Sequence, residues 1–157
     1  MASELWLLRH GDAVAHGARE RDDDRELTER GEAQSRAAGA ALLALGLEFA
    51  AVHTSPKLRA EHTARLACEA MGAPPPIVYE PLRDGFTVSE ALALARGVDG
   101  ARLLVVGHNP DMAQIVYDLS GARVGFKKSG IAAVALREQQ LLALLRPHEL
   151  RALAPGS

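Results

Sequence analysis

Short apolar runs alternate along the chain with segments whose apolar residues recur every three or four positions. Glu4 to Leu8 is apolar after its first residue, the pattern of a short buried strand. Ala33, Ala37, Ala38, Ala41, Leu42 and Leu45 then recur at helical spacing, with Thr28 placed to cap the start and Gly46 to end it. Ala50 to Thr54 reads as the next strand. Ser55 and Pro56 form a cap and first-turn pair for a helix running to Gly72. Pro74 to Pro76 force an extended connection into Ile77 to Tyr79. Thr87 and Glu90 have capping-box spacing, which predicts a helix over Val88 to Arg96 ended by Gly97. Arg102 to Val106 predicts another strand, and Asn109, Pro110 and Asp111 supply a cap, a first-turn proline and a first-turn acid for the helix after it. Ile131 to Leu136 and Leu141 to Leu145, divided by a polar turn, predict a terminal hairpin.

This alternation predicts an α/β fold in three layers, with a mostly parallel central sheet and helices on both faces. A length of 157 residues fits one domain, 1–157, large enough to bury roughly 70% of the unfolded surface. With 48% apolar, 24% charged and 4% aromatic residues the composition is that of an ordinary soluble protein. A formal charge of -2 offers no overall field to nucleic acid or an anionic membrane, so local arginines would have to hold any anionic ligand. The single cysteine, Cys68, excludes an internal disulfide and a cysteine zinc cage. The amino terminus carries no basic segment leading into an apolar stretch of export length, and the uncharged run Ala37 to Leu47 is well short of the ~20 residues of a membrane span. The expectation is a cytoplasmic chain with no nucleic-acid or membrane partner.

The candidate chemistry sits where three predicted strands end: Arg9-His10-Gly11, Ser55-Pro56-Lys57-Leu58-Arg59, and Gly107-His108-Asn109-Pro110. Ligands of open α/β sheets collect at the carboxyl ends of strands, so parallel strands would bring the three clusters to one crevice. Two arginines, two histidines and two helix amino termini describe a site for a compact dianion. Arginine forks and helix-terminal N–H groups grip its oxygens, and glycine allows close backbone approach. The implied ligand is a phosphoryl group. Each residue alone has a structural explanation: a solvated edge arginine, a hydrogen-bonded core histidine, a turn glycine, a helix start. Their coincidence at three strand ends carries the functional reading, whereas His53, His62 and His148 lack such company and read as structural or surface residues.

The ordered set "LRHGDA", "LTERG" at Leu27 to Gly31, "TSPKLRAEHTA" at Thr54 to Ala64, "VVGHNP" at Val105 to Pro110 and "SGIAAV" at Ser129 to Val134 resembles the histidine phosphatase superfamily, in particular the SixA-type phosphohistidine phosphatases. The resemblance runs from Leu5 to about Leu145 and implies a phosphoglycerate-mutase-like fold. It also implies that His10 is the phosphorylated nucleophile and that Arg9, Arg59 and His108 hold the phosphoryl oxygens, with Gly11 and Asn109 lining the phosphate site. The chemistry suits these residue types: a neutral imidazole can attack phosphorus near pH 7, and fixed cations stabilise charge on the transferring group. No metal or other cofactor is implied, and no Walker-type phosphate loop is present.

Phosphoglycerate-mutase-like relatives carry a glutamate after a Leu-Arg pair. Here Leu82-Arg83-Asp84-Gly85 puts an aspartate in a similar setting, so the resemblance offers Asp84 as proton donor, with Glu80 as a rival and a solvated loop acid as the plainer reading. A poor acid would favour a histidine leaving group, whose reference pKa is about 6.5, over an alkoxide. The expected substrate is therefore a phosphohistidine-bearing protein domain. Alternatives are a small phosphorylated metabolite cleaved with Asp84 as general acid, and a non-catalytic phosphate sensor. His10, Asp12, His16 and His108 could also ligate a metal, although Arg9 and Arg59 would repel a cation. The charged run Arg19 to Glu26 reads as a solvated loop or as a lid over the crevice, with Lys127 and Lys128 at its rim and His16 within reach of the phosphate.

Overall fold

The structure, a computed structural model, describes residues 1–15, 17 and 21–156. Among them the order is β1 (Glu4–Arg9), α1 (Glu29–Ala44), β2 (Ala51–Thr54), α2 (Leu58–Met71), β3 (Ile77–Val78), α3 (Val88–Arg96), β4 (Arg102–Gly107), α4 (Asp111–Ser120), β5 (Ile131–Ala135), β6 (Gln140–Leu145) and α5 (Pro147–Leu153). The strands form one sheet in the order β3-β2-β4-β1-β5-β6. β3, β2, β4 and β1 run parallel, and the β5–β6 hairpin closes the sheet antiparallel. This is the expected three-layer α/β fold.

β1 and β4 are unbroken apolar runs because helices cover both of their faces. Leu5, Leu7, Leu103 and Val105 point to one face, against Ala91 and Ala95 of α3 and Met112 and Ile115 of α4. Trp6, Leu8, Leu104 and Val106 point to the other, against α1, α2 and Leu150 of α5. A one-residue slip would exchange the two sets, so double-sided burial sets the register. No helix among the described residues is long and apolar enough to cross a membrane.

The small residues of α1 and α2 let these helices approach closely. A Cβ on Gly39 would stand 2.2 Å from the Ala67 carbonyl oxygen, so that position admits glycine alone without moving a helix. Gly39→Ala should therefore lower stability by about 2 kcal/mol, overpacking outweighing the ~1 kcal/mol gain in helix propensity. The urea unfolding midpoint reads this, and an unchanged midpoint would contradict the packing described.

Several element starts differ from expectation. α2 begins at Leu58 with Lys57 as its cap residue, because Ser55 Oγ accepts the Lys57 N–H at 3.2 Å and holds the chain in a turn before the helix. α4 begins at Asp111 with Pro110 in the cap position, while the Asn109 side chain accepts the Ala113 N–H at 3.3 Å. β3 keeps two residues of the expected Ile77 to Tyr79, since Tyr79 already leads into a 3-10 turn at Glu80–Leu82. α5 was not expected. It is 7 residues long with Leu150 as its one fully buried apolar residue, too little to produce a periodic signal.

Candidate active site

Strand order brings the three clusters together. β4 lies between β1 and β2, with Arg9 opposite Gly107 and Thr54 opposite Val106, so the carboxyl ends of all three strands share one edge. The chain passes from β1 to β2 and β3 and then returns to fill the gap with β4, which opens a crevice at that reversal.

His10 and His108 face each other there, both buried, with ring centroids 5.3 Å apart. His10 Nδ1 lies 2.8 Å from the Gly11 carbonyl oxygen. A carbonyl can only accept, so Nδ1 carries the proton and Nε2 keeps its lone pair. Arg59 Nε donates toward that Nε2 at 3.3 Å. His108 Nε2 lies 2.8 Å from Ser55 Oγ. Arg9 donates from Nη1 to the Phe126 carbonyl at 2.7 Å. Arg9 Nε and His108 Nδ1 are buried with no hydrogen-bond partner among the described residues. Buried polar atoms without partners cost free energy, and at the edge of a crevice they are groups that a ligand can satisfy.

The crevice already holds one anion of its own. The Asp22 carboxylate takes hydrogen bonds from Arg59 Nη2 at 3.2 Å and Lys57 Nζ at 3.1 Å, and Arg59 Nη1 donates to the Asp22 carbonyl at 2.7 Å. Burial pushes the Asp22 carboxyl up, yet the hydrogen bonds from Lys57, Arg25 and Arg59 prevail and hold it far below the ordinary carboxylate range. Burial likewise pulls the Lys57 ammonium down, and its bonds to Asp84 and Asp22 more than reverse this. A carboxylate is thus stable where the cations converge, and so would be a phosphoryl oxygen.

Of the other candidates, Gly11 serves close packing: its N–H donates to Thr63 Oγ1 at 3.0 Å, and a Cβ there would meet the Gly31 carbonyl oxygen at 2.7 Å. Asn109 is engaged in holding the α4 amino terminus. Asp84 stands at the rim, 72% exposed, accepting from Lys57 Nζ at 2.8 Å, with no hydrogen bond to either imidazole. Glu80 pairs with Arg83 Nε at 2.6 Å on the surface. His53 packs edge-on against Tyr79. Of the charged run, Asp22–Asp24 forms a 3-10 turn beside the crevice, while His16, Arg19 and Glu20 lie outside the described residues. Among those described, no group of three or more His, Cys, Asp or Glu is arranged to hold a metal ion.

Three neighbours make contacts at this site that the sequence did not assign to them. Ser55 read as a helix cap, and its contact with His108 required β2 and β4 to be adjacent. Thr63 follows Arg59 by one helical turn and donates to the Arg59 carbonyl at 2.7 Å while holding Gly11. Asp22 carries no sequence signal of its partnership with Lys57 and Arg59, 35 and 37 residues away.

Burial, which outweighs the opposing hydrogen bond to Gly11, together with the Arg59 and Arg9 guanidinia, pushes the His10 imidazole down to about 4. Burial and the neighbouring His10, Arg59 and Lys57 push His108 down to about 3. Both rings are therefore neutral at pH 7. In the free protein the His10 ring protons should titrate by NMR near pH 4, and a midpoint near 6.5 would refute the buried, cation-flanked site. The unfolded chain takes up these protons near pH 6.5 and the folded chain only near 4 and 3, so stability falls on acidification through that window.

Comparison with known proteins agrees with this geometry. The family model described as histidine phosphatase superfamily (branch 1) matches residues 5–87, which include Arg9, His10 and Arg59. An uncharacterized protein of Picosynechococcus sp. is 36% identical over 135 residues, covering 82% of each chain. The structure of the protein histidine phosphatase SixA complexed with tungstate superposes with a TM-score of 0.82 at 28% identity, covering 94% of this chain and 99% of that one. A candidate SixA of Agrobacterium tumefaciens shares the fold with a TM-score of 0.83 at 23% identity, over 94% and 99% of the two chains. With two imidazoles and two guanidinia gathered at the ends of β1, α2 and β4 in this framework, the chain belongs to the histidine phosphatase superfamily, in its SixA-type form, and is a phosphatase.

Proposed function

We propose that this phosphatase hydrolyses phosphohistidine, through a covalent phosphohistidine formed on its own His10. The lone pair of His10 Nε2 attacks phosphorus, the bond from phosphorus to the substrate's ring nitrogen breaks, and that electron pair leaves with the substrate imidazole. Arg9, Arg59 and His108 hold the transferring oxygens, and Arg59 exchanges its Asp22 partner for the phosphoryl group. Water then attacks the phosphorus of the phosphoenzyme, and His10 Nε2 departs with its lone pair restored. The observation that carries this reading is the His10 ring itself: a proton fixed on Nδ1 by the Gly11 carbonyl, which leaves the lone pair on Nε2, where it accepts a long hydrogen bond of 3.3 Å from Arg59.

The substrate class follows from the acids near the site. Asp84 and Glu80 are turned to Lys57 and Arg83, and Asp22 is held ionised by three cations. An alkoxide leaving group needs a proton from a positioned acid. Phosphohistidine can take its proton from solvent at the remote ring nitrogen near neutral pH and then release neutral imidazole. A phosphorylated protein or peptide is accordingly favoured over an alkyl phosphate metabolite. In a substrate comparison, kcat/KM for a phosphohistidine peptide should exceed that for an alkyl phosphate by about 100-fold or more, since general acid catalysis is worth that much. Equal or reversed values would move the assignment to a phosphomonoesterase using Asp84. The SixA structure that this chain matches at 28% identity binds tungstate, a tetrahedral oxyanion, which supports the phosphoryl site.

A further inference from the structure

The rim of the crevice is electrically divided. Asp22, Asp23 and Asp84 gather on one side around Lys57. On the other, Arg9, Arg30, Lys127, Lys128 and Arg146 line an open groove of about 480 Å³ in which Asp12 is the one carboxylate. In a chain whose formal charge is -2, such a concentration of one sign is local. Asp12 offsets one of these charges: its carboxylate pairs with Lys128 at 3.2 Å and accepts from the Thr28 hydroxyl at 2.8 Å. Arg146 pairs with Glu149 at 2.8 Å. Arg30 and Lys127 are exposed and make no ion pair with any described residue.

The groove is also registered to the reacting groups. Arg9 belongs to both. The Ser129 N–H bonds to the carbonyls of Arg9 and His10 at 3.0 and 2.9 Å, and Phe126 accepts from the Arg9 guanidinium. The segment that carries Lys127 and Lys128 is therefore tied at both sides to the Arg9-His10 pair, and its cations stand at a set offset from the phosphoryl position.

We propose that this groove binds an acidic stretch of the phosphorylated protein substrate, with the phosphorylated side chain in the crevice and neighbouring Asp or Glu residues against Arg30, Lys127 and Arg146. This rests on the reading of His10 as nucleophile. Charge matching decides against a small monophosphate, which Arg9 and Arg59 already satisfy and which leaves the further cations without a partner. No Phe, Tyr or Trp lines the groove, and His148 is its one aromatic ring, so it lacks the row of aromatic side chains on which successive nucleic-acid bases stack.

The test uses two phosphohistidine peptides, one with Asp and Glu flanks and one with Ser and Gly flanks, assayed with wild type and Arg30→Gln/Lys127→Gln. In wild type the acidic peptide should have a kcat/KM about tenfold higher, carried by KM, as expected for a few exposed ion pairs, and the advantage should shrink with added salt. In the double variant the ratio should fall toward one. A ratio near one in wild type, or a ratio unchanged in the variant, overturns the docking role. So does an equal loss on phosphoglycerate, which would make the groove a metabolite subsite. If wild type cleaves neither peptide, the phosphohistidine reading fails by itself. The groove is then judged by anisotropy of fluorescent acidic and neutral phosphoserine peptides on His10→Ala, where equal Kd values overturn it.

Discussion

His10→Ala should abolish turnover, lowering kcat on a phosphohistidine peptide by about 10⁴-fold or more, the scale on which loss of a covalent nucleophile is felt. The Nε2 lone pair has no substitute: His108, the other imidazole in the crevice, is engaged with Ser55, and its ring sits 5.3 Å away by centroids. The variant keeps Arg9 and Arg59, so inorganic phosphate should still protect it against thermal unfolding. The direct check is rapid quenching of wild-type turnover into alkali and peptide mass mapping, which should find +80 Da, one HPO₃ unit, on the peptide containing His10. Activity in His10→Ala within about tenfold of wild type, or an adduct mapped to another side chain, would remove the covalent relay.

The second large effect is expected at Arg59. Its guanidinium is buried, touches His10 Nε2 and holds Asp22, so it stands where charge would spread over the transferring oxygens. Arg59→Ala should lower kcat/KM by about 10² to 10³, as for loss of one preorganised oxyanion donor. Arg59→Lys should recover little of this, because an ammonium cannot bond His10 and two phosphoryl oxygens at fixed angles as the planar fork does. Weaker competitive inhibition by phosphate in both variants, with unchanged circular dichroism, separates loss of grip from loss of fold. Near-normal kcat/KM in Arg59→Lys would mean that the contribution is charge alone.

Most of the fold was readable from local pattern. Thr28 accepts the Gly31 N–H and Thr87 forms its capping box with Glu90, both as the spacing predicts. Caps are contacts within one turn, so three or four residues specify them. The starts of α2 and α4 were misplaced because Pro56 and Pro110 satisfy the same local rule in a turn as in a first helical turn. What separates the two cases is where the Ser55 and Asn109 side chains bond. α5 escaped because seven residues with one deeply buried leucine carry no period.

The residue types of the site were legible too, since each cluster follows its strand directly in sequence. Their meeting was not, because it depends on β4 lying between β1 and β2 and on parallel pairing through residue partners such as Arg9 and Gly107. By itself the sequence determined the elements other than α5, their two-sided burial and the chemical inventory of two imidazoles and two guanidinia. The tertiary structure alone decided the roles of neighbours remote in sequence: Ser55 on His108, Thr63 on Gly11, Asp22 on Arg59, Lys57 between Asp22 and Asp84. The division has one physical cause. Capping and amphipathic burial act over a few residues and leave a local pattern, whereas a hydrogen bond between side chains 35 or 50 positions apart exists only once the sheet has chosen its strand order.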